Sequence, residues 1–528
     1  MPESGLQQAA TLPHVALSAA ALHADRTAVV EAERTISFSE LAREMTQAAA
    51  AFVRLGLRRG DRVAIWAHNG IDWVVACLGA QAAGGIVVPL NTRFKAGEAR
   101  DVLERSGARY LVHAVRFLGI DFRAMLDGLD LPRLEHRIAL ATDEAPTSEW
   151  TAFLAAGAAD PSAVAEADRR LQALSPDDVS DIMFTSGTTG APKGAMTTHG
   201  QNVRTYREWV RATTLNADDR YATIWPFFHC SGYKSGWLAS LIAGSTLYPQ
   251  PAFDTDKLIA LIAREKISFL PGPPTLFQAL LAAPEARHGK LASLRATVTG
   301  ATMVAPSLIE AIRNDLGLEA VFAGYGLTET CGTVTMTTAE DGPEVVAVSP
   351  GRAIAGVELA IVDDDGRQAP VGTEGEIVVR GDNVMKGYLD DPEGTAAAID
   401  AAGWLHTGDV GKLDERGYLI ITGRKKDMFI VGGFNCYPAE IEDIIRRHPA
   451  IADVAVIGVP DERLGETGKA FIVPAPGVEP PTPEALLAWC RENMANYKAP
   501  RSVVLTPVLP RTPTGKVQKF RLQQGEFG

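Results

Sequence analysis

A dense run of hydroxyl and glycine residues around one lysine is the part of this sequence best suited to chemistry. The run extends from Thr185 to Gly194 and reads TSGTTGAPKG. Glycines let the backbone approach a ligand closely, so that successive N–H groups converge on an anion, while hydroxyls and a lysine add donors and charge. We interpret the run as a phosphate-binding loop; the alternative is a solvent-exposed turn.

The run is not the common P-loop. That motif requires G-x-x-x-x-G-K-[ST], followed by a helix whose N-terminus faces the phosphates. Here Pro192 precedes Lys193 and Gly194 follows it, so the spacing and the metal-binding hydroxyl of the P-loop are both missing. The loop therefore belongs to another nucleotide-binding design.

Three further segments carry groups that suit a nucleotide. Tyr325–Thr330 (YGLTET) combines a ring, a glycine and the carboxylate of Glu329, which could hold Mg²⁺ on phosphates. Thr407-Gly408-Asp409 offers a carboxylate to a ribose diol, and Lys516 lies in the proline-stiffened run PRTPTGK. Taken singly, each segment has a structural alternative: a surface turn, an Asx-turn and a solvated tail lysine, respectively.

Strand-like and helix-like patterns alternate up to about Gly351, which predicts parallel α/β sheets. Ser37 and Glu40 have the spacing of a capping box and predict a helix that runs to about Leu55. We interpret the Ala/Asp-rich stretch Ala155–Arg170 as a linker. The predicted strands are Arg62–Trp66, Gly85–Pro89, Arg109–His113, Val179–Phe184, Arg220–Ile224, Ser245–Tyr248, Ser268–Leu270 and Ala296–Thr299.

After Gly351 short β-like runs separated by Gly/Asp turns indicate a smaller β-rich subdomain. Beyond the charged junction GRKKD, a compact unit of about 100 residues has an α+β pattern. The predicted fold class is α/β, with a large N-terminal domain of α/β sheets plus the β-rich subdomain (residues 1–425) and a small C-terminal α+β domain (residues 426–528).

Composition limits the function classes. A chain of 528 residues exceeds what one hydrophobic core normally supports, so we expect more than one domain. The net charge of −13 argues against non-specific binding to nucleic acid or anionic membranes. The five cysteines are scattered, without CxxC spacing, and no signal peptide or long apolar run is evident, so we expect a cytoplasmic protein without stable membrane insertion. The sequence leaves open whether the protein is a monomer or a homodimer.

In this order and spacing, from about Phe38 to Lys519, the segments resemble the adenylate-forming superfamily of acyl-CoA synthetases, peptide-synthetase adenylation domains and luciferases. The resemblance implies that ATP and a small-molecule carboxylate form an acyl-adenylate with release of pyrophosphate, after which the acyl group passes to a thiol and AMP leaves. It implies ATP, Mg²⁺ and coenzyme A as cofactor or co-substrates. It also implies that the C-terminal domain is mobile and rotates between the two half-reactions.

The resemblance also implies roles for individual residues. The catalytic group would be Thr185, Lys193, Glu329 and Lys516. The β- and γ-phosphates would be held by the loop that contains Thr185, Ser186, Gly187, Thr188, Thr189, Gly190 and Lys193. The α-phosphate and Mg²⁺ would be served by Thr328 and Glu329. The adenine and ribose would be bound by Gly300, Ala301, Tyr325, Gly326, Asp409 and Arg424, and the hinge between the domains would be Lys426.

Two regions should decide the acceptor and the acid. Gly432, Gly433 and Phe434 would line the path of the coenzyme A arm, and the lack of an appended carrier domain favours free coenzyme A. The alternative is an enzyme that loads a separate carrier protein. The acid pocket should be lined by Trp225–Gly236, Gly300–Thr302 and Gly324–Gly332, with His229 at its mouth or in a structural role.

Lys234 would either bind a second polar group of the acid or pair with a surface carboxylate. FFHCSGYK and LPGPPT are similar to segments of bacterial ligases for a ring-containing propanoate from sterol breakdown, and also of medium-chain and alicyclic fatty acyl-CoA ligases. We therefore expect a bulky alicyclic or steroid-derived acid first, a medium-chain fatty acid second and an aromatic acid third.

Overall fold

The computed structural model describes residues 9–32, 34–185, 192–300, 306–363, 365–424, 429–436, 438–475, 477–510, 517 and 519–525. Two helix-covered α/β sheets form the larger part of the chain, a four-stranded antiparallel sheet follows them, and the C-terminal part has a sheet of its own. The predicted fold class, α/β with a β-rich segment and an α+β C-terminal unit, is confirmed.

The largest sheet has seven strands and carries the predicted phosphate-binding run. Four pairings join the five strands from Val179–Thr185 to His136–Leu140, and all four are parallel. The two pairings at the other edge of the sheet, which involve Lys193–Thr198, are antiparallel. From that edge the order is Gly387–Tyr388, Lys193–Thr198, Val179–Thr185, Ile86–Pro89, Arg62–Trp66, Tyr110–Ala114 and His136–Leu140.

A second sheet consists of two four-stranded halves joined at one residue. Phe269 makes single parallel bridges to Tyr221 in one half and to Ala296 in the other, so only this residue of the predicted strand Ser268–Leu270 has a strand pairing. The first half is Arg220–Thr223, Thr246–Pro249, Thr27–Val30 and Thr35–Ser37. The second half is Ala296–Gly300, Ala320–Tyr325, Thr335–Met336 and Arg352–Ala353.

The two remaining sheets are smaller, and a two-stranded ribbon joins Arg116–Phe117 to Ile120–Asp121. The β-rich subdomain is fully antiparallel, in the order Val357–Val362, Gly375–Gly381, Leu405–Leu413 and Leu419–Arg424. The C-terminal sheet contains Phe434–Cys436, Phe429–Val431, Gly465–Pro474, Ile451–Asp461 and Ser502–Leu505.

Helices cover these sheets and are mostly short. In the larger part they are Leu12–His23, Phe38–Arg54, Ile71–Ala82, Ala96–Ser106, Phe122–Asp127, Glu149–Ala158, Pro161–Gln172, His199–Thr213, Cys230–Gly232, Ala239–Ala243, Thr255–Glu265, Pro274–Ala282, Pro306–Asn314, Pro343–Val346 and Pro392–Ala398. In the C-terminal part they are Pro438–Arg446, Pro483–Asn493 and Lys519–Gln523. One turn of π-helix spans Tyr233–Leu238, and 3₁₀ turns span Pro284–His288 and Thr328–Thr330. None of the helices in the described ranges is long and apolar enough to cross a bilayer.

The capping box predicted at Ser37 is confirmed. The Glu40 amide donates to Ser37 Oγ at 3.2 Å, and the Ser37 amide donates to Glu40 Oε2 at 2.9 Å. These two bonds satisfy donors that a helix N-terminus otherwise leaves open. They start the helix Phe38–Arg54, which ends before Gly56 in the left-handed region at φ 82°.

The predicted linker at Ala155–Arg170 is wrong, because the stretch is helical. It contains the end of the helix Glu149–Ala158 and most of the helix Pro161–Gln172. Asp160 caps the second helix, since its Oδ1 accepts from the amides of Ser162 and Ala163 at 3.0 and 3.1 Å. Alanine has the highest helix propensity, so an alanine-rich stretch with an aspartate cap favours helix over linker.

The C-terminal unit has its own apolar core, which includes Phe429, Ile445, Val456, Ile472 and Leu486. The last strand of the β-rich subdomain ends at Arg424, and the first strand of the C-terminal sheet begins at Phe429. The predicted hinge at Lys426 lies outside the described residues, so the boundary at 425/426 stays a prediction.

Gly79 tests how closely the helices of the larger part pack. A Cβ atom at Gly79 would lie 2.4 Å from Ala48 Cβ on the helix Phe38–Arg54. We expect Gly79→Ala to lower the free energy of unfolding by about 1–3 kcal/mol, because the contacting faces of both helices are buried and cannot separate freely.

The matched control is Gly97→Ala, in an exposed helical turn where an added Cβ meets no atom within 4 Å. This variant should be as stable as the wild type or slightly more stable. Urea denaturation of the two variants measures the difference, and equal stability would contradict close packing of these helices.

Candidate active site

The phosphate-binding run joins two antiparallel strands of the seven-stranded sheet. Thr185 ends one strand and Lys193 begins the next, and the two residues are register partners. Residues 186–191 lie outside the described ranges, so the predicted contributions of Ser186, Gly187, Thr188, Thr189 and Gly190 stay predictions. The strand pairing nevertheless fixes both ends of the run at the same end of these two strands.

The carboxylate of Glu329 lies beside these strand ends. Thr185 Oγ1 donates to Glu329 Oε1 at 3.4 Å, and the Tyr388 hydroxyl donates to the same oxygen at 2.9 Å. Glu329 and Thr328 lie in a 3₁₀ turn, and the Glu329 carbonyl accepts from the Met385 amide at 2.8 Å. The structure therefore brings together Thr185 and Glu329, which are 144 positions apart in the sequence.

Lys193 lies over the ring of Tyr388. Its Nζ is 4.9 Å from the centre of the Tyr388 ring and 3.7 Å from Asp391 Oδ2. Tyr388 thus contacts both the lysine and the glutamate of the predicted catalytic group. Sequence reasoning did not identify Tyr388 or Asp391, because neither lies in a motif of its own.

A second predicted pair, Tyr325 and Asp409, also meets. The Tyr325 hydroxyl donates to Asp409 Oδ2 at 2.7 Å, and Asp409 is 3% exposed. Asp409 is within the strand Leu405–Leu413 rather than in an isolated turn, and its strand partner is Arg424. The hydroxyl of Tyr325 therefore fixes the orientation of the buried carboxylate.

The predicted glycines near Tyr325 have little free space around them. A Cβ at Gly326 would lie 2.4 Å from the Gly332 carbonyl oxygen, and one at Gly324 would lie 2.4 Å from Met336 Sδ. Gly332 has φ 94°, and a Cβ there would lie 2.8 Å from Cys230 Cβ. Gly300 is the register partner of Gly324, while Ala301 lies outside the described residues. The glycines allow the strand end Ala320–Tyr325 and the chain after it to pack closely, at Gly326 against backbone and at Gly324 and Gly332 against side chains.

Asn69 positions the loop that precedes His229. Its Nδ2 donates to the carbonyls of Trp225 and Gln250 at 2.9 and 3.1 Å, and its Oδ1 accepts from the Phe227 amide at 2.7 Å. Asn69 is 5% exposed. Sequence reasoning missed this residue, although an Asn-Gly pair shortly after the predicted strand Arg62–Trp66 was a usable signal of a special turn.

His229 caps the short helix Cys230–Gly232. Its Nδ1 accepts from the Ser231 amide at 3.2 Å. Burial lowers the pKa of His229 to about 4, and the nearby charge of Lys234 acts in the same direction. The imidazole is therefore neutral near pH 7. The capping bond is a structural role for His229. The role at the mouth of the acid pocket stays a prediction.

Lys234 is paired inside the protein. Its Nζ lies 3.1 Å from Asp181 Oδ1, and both side chains are fully buried. Lys234 also donates to Thr197 Oγ1 at 3.0 Å. Burial by itself would lower the pKa of Lys234, but the Asp181 carboxylate reverses this and holds the pKa above its ordinary value. The expected pairing of Lys234 with a surface carboxylate is therefore wrong, because its partner Asp181 is buried.

Asp181 is completely surrounded by donors. Oδ1 accepts from Lys234 and, at 2.8 Å, from Thr197 Oγ1. Oδ2 accepts from Ser180 Oγ at 2.7 Å and from Asn202 Nδ2 at 2.8 Å. Asp181 and Thr197 belong to the two strands that flank the phosphate-binding run, so the network ties the π-helical turn at Lys234 to those strands.

The predicted coenzyme A segment forms the turn of a hairpin in the C-terminal sheet. Gly432 and Gly433 have φ 55° and 85° and join the strands Phe429–Val431 and Phe434–Cys436. A Cβ at Gly433 would lie 3.6 Å from Pro273 Cβ and 3.7 Å from the Trp225 ring. The turn therefore lies against Trp225 of the predicted acid pocket and against Pro273 of the LPGPPT segment.

Some predicted residues cannot be placed. Lys516 and Lys426 lie outside the described residues, and only the backbone of Arg424 is described. In the described ranges no group of three or more His, Cys, Asp and Glu residues could hold a metal ion. A Mg²⁺ ion that bridges substrate phosphates needs only one or two carboxylates, and Glu329 with the hydroxyl of Thr185 fits that donor set.

The buried pair of Lys234 and Asp181 gives a test of the network. We expect Lys234→Met to lower the free energy of unfolding by about 3–5 kcal/mol, because it leaves a buried carboxylate without its cation. The double variant Asp181→Asn with Lys234→Met should be destabilised by less than the sum of the single changes, because no unpaired charge remains.

Chemical denaturation followed by tryptophan fluorescence measures both effects. The control is Arg380→Met, whose partner Glu358 lies 2.7 Å away in an exposed pair, and it should change stability little. A Lys234→Met variant as stable as this control would contradict a charged, buried lysine.

Comparison with known proteins agrees with the site geometry. The model of the "AMP-binding enzyme" family matches residues 17–389, and that of the "AMP-binding enzyme C-terminal domain" matches residues 440–516. The chain is 48% identical over 501 residues to a 3-[(3aS,4S,7aS)-7a-methyl-1,5-dioxo-octahydro-1H-inden-4-yl]propanoyl:CoA ligase from Mycobacterium tuberculosis, covering 95% of this chain and 96% of that protein. It is 46% identical over 525 residues to the ligase of the same name from Rhodococcus jostii, covering 98% and 99%.

A solved structure shares the fold. A double mutant of o-succinylbenzoate CoA synthetase from Bacillus subtilis, bound to a product analogue, aligns over 97% of this chain and 98% of its own, with a TM-score of 0.79 and 27% identity. The family models together span most of the chain, including both the Thr185–Lys193 region and the C-terminal unit. The chain therefore belongs to the AMP-binding enzyme family and is an AMP-forming acid–thiol ligase of the acyl-CoA synthetase type.

Proposed function

We propose that this ligase joins coenzyme A to a propanoate carried on a fused alicyclic ring system, through an acyl-adenylate formed from ATP. The observation that carries the proposal is the similarity, over almost the whole chain, to two ligases named for such an acid. From the site contacts described above we assign residues to adenylation and to thioester formation.

We assign phosphate binding to Thr185, Lys193 and Glu329. Attack of a carboxylate on the α-phosphate brings two anions together, so cations and fixed donors contribute most to lowering the barrier. The ring of Tyr388 contacts the ammonium of Lys193, and the hydroxyl of Tyr388 donates to the carboxylate of Glu329. When bound, Mg²⁺ would neutralise phosphate charge beside Glu329. We predict that Tyr388 sets the distance between these two groups, and that the loop residues 186–190 add backbone donors.

Ribose binding is assigned to Asp409, with Tyr325 beside it. A carboxylate held by a tyrosine hydroxyl at 2.7 Å presents a fixed acceptor to the hydroxyls of a sugar. The adenine slot proposed at Gly300, Ala301 and Tyr325 would lie at the carboxyl ends of neighbouring parallel strands, where α/β sheets usually bind ligands.

The acid pocket is assigned to the loop 225–229 and the glycines opposite it. Trp225 and Phe228 are half-buried, and His229 is neutral near pH 7. Lys234 adds no free charge, because Asp181 compensates it. An apolar and uncharged wall of this kind suits a bulky ring better than an acid with a second ionised group. We therefore assign Lys234 to holding the pocket wall.

The coenzyme A arm is assigned to the turn at Gly432 and Gly433. This turn contacts Trp225 and Pro273, so a thiol that passes it would arrive at the acid pocket. Glycines allow a ligand to approach the backbone closely at this point.

A panel of acids tests the substrate assignment. We expect kcat/KM for an octahydroindenyl propanoate with ring ketones to exceed that for octanoate and for an aromatic acid by about tenfold or more, because the ring fills the apolar pocket. AMP and the coenzyme A thioester are both measured for each acid. A preference for octanoate would contradict the alicyclic assignment, and AMP formation without a thioester would favour the carrier-protein alternative.

Lys516 should separate the two half-reactions. We expect Lys516→Ala to nearly abolish pyrophosphate release from ATP and acid, because the lysine would stabilise charge that develops only during adenylation. Thioester formation from a supplied acyl-adenylate should stay close to the wild-type rate. Equal loss in both assays would show that the adenylation role belongs elsewhere.

A further inference from the structure

Lys498 lies in a buried cluster between the C-terminal unit and the larger part of the chain. Its Nζ is 2.5 Å from Glu440 Oε1 in the same unit and 3.0 Å from Glu98 Oε1 across the interface. The Lys498 side chain is 4% exposed, and those of Glu98 and Glu440 are about a tenth exposed. One ammonium thus bridges two carboxylates that belong to different units.

Aromatic contacts surround this bridge. The Lys498 Nζ lies 4.9 Å from the centre of the Phe94 ring in the larger part. The neighbouring Tyr497 accepts a hydrogen bond from Asn91 Nδ2 at 3.0 Å. Tyr497 also stacks on Phe434, with the ring centres 4.5 Å apart. The contacts therefore connect the Lys498 cluster to the residue that follows the Gly432–Gly433 turn.

Of the two ion pairs of Lys498, only the one with Glu98 depends on the orientation of the C-terminal unit. Glu440 and Lys498 move together, because both belong to the C-terminal unit, whereas Glu98 stays with the helix Ala96–Ser106. The Glu98 bond and the Asn91–Tyr497 bond exist only while the unit has its present orientation. In that orientation the glycine turn lies against Trp225 and Pro273. A rotation of the unit would break these bonds and move the turn away from the pocket.

We infer that Lys498 is a positioning residue for thioester formation, and that its ion pair with Glu98 holds the C-terminal unit where the Gly432–Gly433 turn borders the acid pocket. The inference rests on the proposed function, because it needs two half-reactions that use different orientations. It concerns the population of an orientation, and Lys498 itself touches no reacting atom.

Glu98→Gln tests the inference without removing the buried lysine. Glutamine keeps an oxygen for the Lys95 amide, which Glu98 Oε2 now accepts from at 3.0 Å, so the helix start is retained. We expect thioester formation from a supplied acyl-adenylate to slow about tenfold or more, since hydrogen bonds between charged groups contribute about that much. The KM for coenzyme A should rise, while adenylation, followed by pyrophosphate exchange, should be unchanged or faster.

Two comparisons complete the experiment. Glu104→Gln, an exposed change on the same helix, should leave both half-reactions at the wild-type rate. Lys498→Met combined with Glu98→Gln should slow thioester formation by less than the product of the single effects, because both remove one contact. Thermal unfolding of Glu98→Gln should match the wild type.

The outcomes separate the two proposals. A wild-type enzyme that forms no thioester from any acid of the panel would overturn the proposed function and this role with it. A wild-type enzyme that forms the thioester, with a Glu98→Gln variant that slows neither half-reaction or slows both equally, would overturn the role of Lys498 alone.

Discussion

The site depends on one buried ion pair. Lys234 and Asp181 join the π-helical turn after the proposed acid pocket to the two strands that flank the proposed phosphate-binding run. A buried pair of this kind contributes little net stability compared with apolar packing, because desolvation offsets its attraction. Its effect is geometric: an alternative packing would leave one charge unpaired inside the protein, so the pocket wall and the phosphate strands keep one relative position.

The remaining groups come from four different elements of the larger part of the chain. Glu329 follows the second sheet, Lys193 and Tyr388 belong to neighbouring strands of the first, and Asp409 comes from the β-rich subdomain. Each side chain is oriented by another protein side chain rather than by solvent. Tyr388 contacts Glu329 and Lys193, and Tyr325 contacts Asp409. Such preorganised donors cost little reorganisation when charge develops on a phosphoryl group.

Sequence patterns predicted the local features well. The capping box at Ser37 and most strand positions follow from short-range spacing, and the meeting of Thr185 with Glu329 follows from the family resemblance. The helices at Ala155–Arg170 were missed because composition was given more weight than helix propensity. Asp181, Tyr388 and Glu98 were missed for another reason. Their importance comes from partners far away in the sequence, and a single chain of letters contains no local sign of such a contact.

The bonds of Asn69 have a consequence for how this enzyme can change over evolutionary time. All three of its partners in the pocket region are main-chain atoms, at Trp225, Phe227 and Gln250. Main-chain atoms are present whatever side chain a position carries. Substitutions at 225 and 228 can therefore alter the shape and polarity of the proposed acid pocket while the loop keeps its path. A scaffold of this kind separates the inheritance of catalysis from the diversification of substrate range, so new acids can be acquired without rebuilding the adenylating machinery.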